Sequence, residues 1–250
     1  MSGQNQLAKS TIKIVHHETD ICSLIDVIIN RTFEVDKTYA RLELDAYREM
    51  MLSVQMALND QRCNRKIVDS IKKDLIEYLE TDQFLIQSNL YFRASRPRQQ
   101  PGQENIDWHR ESFYGPNLSK VVNVWTPIRD VSGANSLQYI PESQLIPDRL
   151  IIREKMGSTH TKRFSTGHRL GFNYDPKVIT GGVDFTNTKR LIVSPGASAL
   201  FSGNLIHGAA TNLSPKIRFS VDFQVIRKKD YSTKNKKAHF SSGLEYFIEM

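Results

Sequence analysis

The sequence is poor in the features that staple, anchor or repeat a chain. Only two cysteines occur in 250 residues, Cys22 and Cys63, and neither belongs to a C-x-x-C pair. That excludes a disulfide scaffold and gives no sign of a thiolate zinc site or a dithiol redox motif. No apolar stretch approaches the roughly 18 residues that would suggest a membrane span. The opening MSGQNQLAKSTIKIVHH lacks the apolar centre and cleavage pattern of a secretory signal. A cytoplasmic location is therefore expected, and no membrane partner. There is no internal repeat and no low-complexity tract. What remains, 39% hydrophobic and 24% charged residues, is the composition of an ordinary globular domain. The length suits a single domain over residues 1–250.

The net charge is +7, and much of the excess sits in RKKDYSTKNKK, residues 227–237. No nucleic-acid-binding module accompanies it. The stretch reads as a solvated face of a basic C-terminal extension, residues 228–250, and no nucleic acid is expected as a partner.

Residues 1–82 read as a helical layer. In ICSLIDVIINRTF, Leu24, Ile25 and Ile28 fall on one face, with Thr19 or Asp20 as N-cap. Residues 43–58 form a second helix and residues 64–81 a third, the last carrying Ile67, Ile71, Leu75 and Leu79 at intervals of four. Beyond Asp82 the period falls from about 3.6 to 2. FLIQSNLYFR sets Phe84, Ile86, Leu90 and Phe92 against Gln87, Asn89, Tyr91 and Arg93, as a strand with one apolar and one polar face does. Further strands are expected at 106–114, 120–128, 136–140, 190–193, 199–201 and 216–226, with turn residues between them. Many short strands suggest a sandwich or barrel over 83–227, covered on one side by the N-terminal helices.

The chemistry is concentrated in three places. His109 and Glu111 lie two apart in IDWHRESFYG. On a strand both point to one side, while Trp108 and Arg110 point away. Two imidazoles and a carboxylate on one triangular face are what iron(II) asks for in oxygenases, with the opposite positions left open. Of the seven histidines, His16 and His17 lie near the N-terminus, His239 in the basic tail, and His160 and His168 in a polar stretch. His207 follows a turn and a short strand, and is best placed to complete the triad. After it, KIRFSVDFQVI alternates: Ile217, Phe219, Val221, Phe223 and Val225 on one face, Arg218, Ser220, Asp222 and Gln224 on the other. Such a polar face either lines a pocket or belongs to a solvated edge strand. In a pocket, Arg218 offers a planar fork and Ser220 a hydroxyl to the far carboxylate of a dicarboxylic cosubstrate.

The order H-x-E, a long gap, then His and an Arg eleven residues later resembles the phytanoyl-CoA dioxygenase-like branch of the iron(II)/2-oxoglutarate oxygenases. VVNVWTPIRDVSGANSLQYIPESQ resembles that family's central block, and the likeness runs from about residue 84 to 227. It implies a double-stranded β-helix (a jelly roll, cupin-like), iron(II), 2-oxoglutarate and O₂, with succinate and CO₂ as coproducts. By position it implies His109, Glu111 and His207 as metal ligands, and Arg218, assisted by Ser220, at the far carboxylate. Asn123 and Trp125, with Asn89 and Tyr91 on the preceding strand, fall near the cosubstrate. Most members carry Asp where this chain has Glu111, a side chain one methylene longer that ligates iron in some relatives. Related halogenases carry a small residue there, so Glu111 favours hydroxylation; desaturation, ring closure and epimerisation stay open.

Residues 152–182 interrupt the strand pattern with a polar insertion. It reads either as a lid or as an ordinary surface loop. Arg163, His168, Arg169, Asn173 and Tyr174, with Arg93, are candidates for a small polar substrate: a sugar, a nucleotide-sugar or an amino-acid-like molecule. Two alternatives share the residues: a cupin-like metalloenzyme that does without 2-oxoglutarate, and a binding protein of the same fold with an idle metal site.

Overall fold

The computed structural model describes residues 12–34, 37, 39–98, 106–155, 161–173, 175–236, 243 and 245–250. In chain order it contains β1 (Lys13–His16), α1 (Ile21–Asn30), α2 (Leu44–Asp60), α3 (Cys63–Ser70), α4 (Lys72–Leu79), β2 (Phe84–Gln87) and β3 (Tyr91–Ser95). There follow β4 (Val122–Arg129), β5 (Leu137–Tyr139), β6 (Ile152–Lys155), α5 (Thr166–Arg169), β7 (Lys177–Gly181) and β8 (Lys189–Leu191). The last elements are β9 (Ala197–Ser202), β10 (His207–Ala209), β11 (Arg218–Arg227) and β12 (Phe247–Ile248). The fold is mainly β with helices, and the strand pairs are antiparallel. Among the described residues no helix is long and apolar enough to cross a membrane.

The large sheet runs β1-β9-β4-β11-β2-β12, with β3 also pairing with β11. A smaller sheet runs β10-β5-β8. The apolar face of β11 (Phe219, Val221, Phe223, Val225) is fully buried against α1 to α4 together with Val122, Val124 and Phe92. Burying side chains of this size stabilises by about 1.5–3 kcal/mol each. The opposite face of the sheet, with Trp125, Ala199 and Phe201, turns towards Leu137 and Leu191 of the small sheet.

Three segments depart from the sequence expectation. α1 agrees, with Asp20 accepting a hydrogen bond from the Ser23 amide as its N-cap. The helix expected over 64–81 is broken at Ile71, between α3 and α4. Apolar residues four apart advance by roughly 40° per step on a helix, so a straight helix would swing Ile67, Ile71, Leu75 and Leu79 off one face. The break re-aims the chain, and all four are buried. FLIQSNLYFR forms two strands. Asn59 intercepts the backbone of Leu90 through both its amide atoms, and Asn64 donates to the carbonyls of Gln87 and Ser88. The strand expected over 106–114 is reduced to a single bridge at His109, and Glu111 opens a short 3₁₀ turn through Tyr114.

The described part of the basic stretch up to Lys236 packs on the body, Asn117 donating to the carbonyls of Ser232 and Asn235 and the Lys228 amide to Gln83 O. Arg227 is buried and paired with Asp230, Lys228 pairs with Glu249, and Lys236 with Glu245. Residues 152–182 hold a small two-stranded sheet, β6 with β7. α5 docks on α2 through Glu49, which accepts from the Thr166 hydroxyl, and Gln55, which donates to the Arg169 carbonyl.

Candidate metal centre

His109 and His207 are brought together by reciprocal backbone bonds, His109 N to His207 O at 3.0 Å and His207 N to His109 O at 3.1 Å. Their ring centroids lie 4.4 Å apart. Glu111 is placed by its own amide, which donates to Gly203 O at 2.8 Å. Arg110 between them is extended. Its buried guanidinium turns away to Asp148 and the carbonyls of Ser143 and Ile146. Gly203 is required here. A Cβ on it would meet Val121 Cγ2 at 2.5 Å, the carbonyl of Leu118 at 2.9 Å and Glu111 Cβ at 3.2 Å.

One ligating atom from each of His109, Glu111 and His207 lies within 4.8 Å of the others, and His109 Nε2 is 3.7 Å from Glu111 Oε1. The Nδ1 atoms of His109 and His207 lie 2.7 Å and 2.9 Å from the carbonyls of Asp107 and Leu205. A carbonyl only accepts, so each Nδ1 carries the proton and each Nε2 presents a lone pair. Burial pulls the His207 imidazole down to about 4, helped by His109. Burial works to raise the Glu111 carboxyl, but the His109 and His207 rings and the Gln224 amide beside it outweigh that and hold it below its usual range. At neutral pH His207 is therefore a neutral imidazole and Glu111 a carboxylate, the protonation states that a divalent metal needs of them. The Nδ1 bonds are the outer contacts that orient metal-binding histidines.

The triad lines a cavity of about 340 Å³, near the lower end for ligand pockets. Both sheets contribute to it: Tyr91, Arg93, Asn123, Trp125, Phe201, Arg218, Asp222 and Gln224 from the large one, Leu137, His207, Gly208 and Ala209 from the small one. The polar face of β11 is thus not a solvated edge. β11 lies between β4 on one side and β2 and β3 on the other. Arg218 is buried, with one hydrogen bond from its NH1 to Asn135 O at 3.3 Å and no partner for Nε. Burial, with Arg93 nearby, pulls it down to about 10. Arg93 is matched by Asp222, at 2.7 Å and 3.2 Å, and donates to Leu170 O. Asn123 Nδ2 and Trp125 Nε1 are also buried donors without a partner. A cavity with a metal triad and three unspent donors fits a metal ion carrying an acceptor-rich dicarboxylate.

The other expected residues divide. Tyr91, His168 and Asn173 line the cavity, His168 accepting at Nδ1 from the Phe164 amide. Asn89 and Ser220 do not line it; Ser220 Oγ is buried and unpartnered behind the wall. Arg163 stacks on Phe164 and Arg169 contacts Met56, both away from the cavity. Tyr174, His160 and His239 lie outside the described residues. His17 is spent on Ser198. Sequence reasoning put Asp222 and Gln224 on the right face without giving them a role, and it passed over Tyr114, Phe172 and Tyr246, which also line the cavity. The alternation of β11 was the available signal for the first two; nothing in the sequence marked Tyr246.

Similarity to known proteins agrees with this geometry. No curated protein matches the chain significantly. Among solved structures, apo ThoJ, a non-heme monooxygenase, aligns at 14% identity over 89% of this chain and 76% of that one, with a TM-score of 0.54. EvdO2 from Micromonospora carbonacea var. aurantiaca, complexed with 2-oxoglutarate, aligns at 12% identity over 90% and 92%, with a TM-score of 0.57. The epimerase SnoN, in complex with Fe³⁺, alpha ketoglutarate and nogalamycin RO, aligns at 14% identity over 89% and 82%, with a TM-score of 0.50. At these identities the likeness is one of fold. The family described as phytanoyl-CoA dioxygenase matches residues 10–220, most of the chain. This chain therefore belongs to the phytanoyl-CoA dioxygenase family, enzymes that work with non-haem iron(II) and 2-oxoglutarate.

Proposed function

Within that family, we propose that this chain hydroxylates a small polar metabolite, holding iron(II) through His109, Glu111 and His207 and the far carboxylate of 2-oxoglutarate through Arg218. The observation that carries the reading is a metal-ready triad sharing one cavity with a buried arginine that lacks an anion. Asn123 and Trp125 are the donors for the remaining cosubstrate oxygens. On this reading the two sheets form a double-stranded β-helix, residues 1–250 are one domain, and the segment around α5 is its substrate-side lid.

Iron(II) and 2-oxoglutarate, with O₂, supply the oxidising power, the 2-oxo acid leaving as succinate and CO₂. The chain's own residues orient and shield. The Nδ1 bonds to Asp107 and Leu205 hold both imidazoles in one tautomer. Arg218 fixes the length and direction of the cosubstrate, as a planar fork does for a carboxylate. Phe172, Tyr114 and Leu118 give the cavity largely apolar walls that limit water.

The charge balance narrows the substrate. The metal's two positive charges and that of Arg218 are matched by Glu111 and the two carboxylates of 2-oxoglutarate. Arg93 is already matched by Asp222. Burial, with Arg163 nearby, lowers the pKa of His168, which favours its neutral form. Among the described lining residues no charge is left to receive an ionic group, so the end of the substrate that enters is uncharged. A hydroxyl-bearing ring, free or as the sugar of a nucleotide-sugar, fits better than an amino acid.

The test is anaerobic. Wild-type protein with iron(II) and 2-oxoglutarate should give the weak visible metal-to-ligand band, and on admission of O₂ it should release succinate. His109→Ala and His207→Ala should abolish both signals. A variant of either histidine that keeps the band refutes the metal assignment.

A further inference from the structure

The family match ends at residue 220, yet two residues beyond it reach the triad. Gln224, on β11, lies beside Glu111 in the cavity wall, near enough to favour its carboxylate. Tyr246, from the C-terminal segment, donates its hydroxyl to Gln224 Oε1 at 3.1 Å, and Tyr91 hydrogen-bonds Tyr246 in turn. All four residues line the cavity. The C-terminal segment is tied down where it crosses: the Ser88 amide donates to Tyr246 O at 2.8 Å, Phe247 pairs with Gln87, and the Phe247 side chain is buried with Leu85, Leu118 and Ile226.

The polarity of this chain of bonds is fixed by chemistry. A carboxylate only accepts, so Gln224 must turn its NH₂ to Glu111 and its oxygen away. The Tyr246 hydroxyl donates to that oxygen; since a hydroxyl could equally accept from an NH₂, Glu111 chooses the orientation and Tyr246 holds the side chain in it. We propose that Tyr246 is a positioning residue for the metal: it locks the Gln224 amide so that one oxygen of Glu111 is held and the other is presented to the ion. A segment outside the family match thus supplies an outer contact of the metal site, and helps a glutamate keep the aim that a shorter aspartate would have by length alone. The inference rests on the triad being the metal site.

The experiment is a spectroscopic titration of the full-length apoprotein with Co(II) as the probe. Tyr246→Phe removes only a hydroxyl and should weaken Co(II) binding about tenfold, the lower end for loss of an outer-sphere partner. Gln224→Met should weaken it at least as much. The double variant should be no worse than Gln224→Met alone, because Tyr246 acts only through Gln224. Binding of 2-oxoglutarate at saturating metal should be unchanged, which a merely loosened fold would not leave intact. Wild-type affinity in Tyr246→Phe, or additive losses in the double variant, overturns the proposal. If Tyr246→Phe does not fold, Gln224→Met decides alone: undiminished Co(II) binding overturns it. His207→Ala separates the two levels. If it still binds Co(II), the metal site itself is misassigned; if it does not while Tyr246→Phe binds normally, only the positioning role falls.

Discussion

Replacing Arg218 by methionine should move two measurements in opposite directions. Arg218 is 2% exposed, and its guanidinium makes one hydrogen bond at 3.3 Å and leaves Nε without a partner. Arg93 stands near enough to disfavour its charge. Without an anion it is a buried cation with little compensation. Methionine keeps much of the stem volume and removes the charge. Losing the bond to Asn135 O costs about 1 kcal/mol, while relieving a poorly paired buried charge is neutral to stabilising by about 1–4 kcal/mol. The apoprotein should therefore melt no lower than wild type. The affinity for 2-oxoglutarate should fall by about 2–5 kcal/mol, the penalty for removing one partner of a buried charge pair, or roughly 30- to 4,000-fold in Kd. The assay is an anaerobic titration of the iron(II)-loaded protein, read from the visible band, with a thermal melt of the apoprotein beside it. Unchanged affinity would show that the carboxylate binds elsewhere. It would favour a cupin-like metalloenzyme that does without 2-oxoglutarate. A large drop in apoprotein stability would show that Arg218 is held by contacts other than the awaited anion.

Two further outcomes follow from local geometry. Gly203→Ala forces a Cβ against the Leu118 carbonyl and Glu111; it should cost about 1–3 kcal/mol of stability and weaken metal binding, checked by a melt and a Co(II) titration. Burial, with His16 beside it, pulls the His17 imidazole down to about 4, below its unfolded value of 6.5. The unfolded chain then takes up a proton that the folded one refuses. Stability is full above pH 6.5 and declines as pH falls towards 4, by about 1–2 kcal/mol once partial exposure is allowed for. His17→Gln should flatten that part of the curve in urea unfolding at pH 7 and 4.5; identical pH dependence in the two proteins would refute it.

The sequence by itself determined what a period and a residue type can carry. The alternation of 217–225 gave β11 its two faces, and a row of arginine, serine, aspartate and glutamine on one of them was already an argument for a lined pocket. The pair His109 and Glu111 pointed to a metal only in company with His207 and the polar row after it. Local physics could not say how those two side chains converge. They do so from one bridge residue and the first residue of a 3₁₀ turn, because the backbone at 109 is held by His207 and at 111 by Gly203. It also could not see that Asp222 would spend its charge on Arg93 and leave Arg218 unspent. Nor could it see that Ile71 would break a helix, or that Tyr246, past a basic stretch that reads as solvated, would return to the metal site. Each of these is a contact between residues far apart in the chain, whose geometry is set by strand order and packing. Only the tertiary structure decides it.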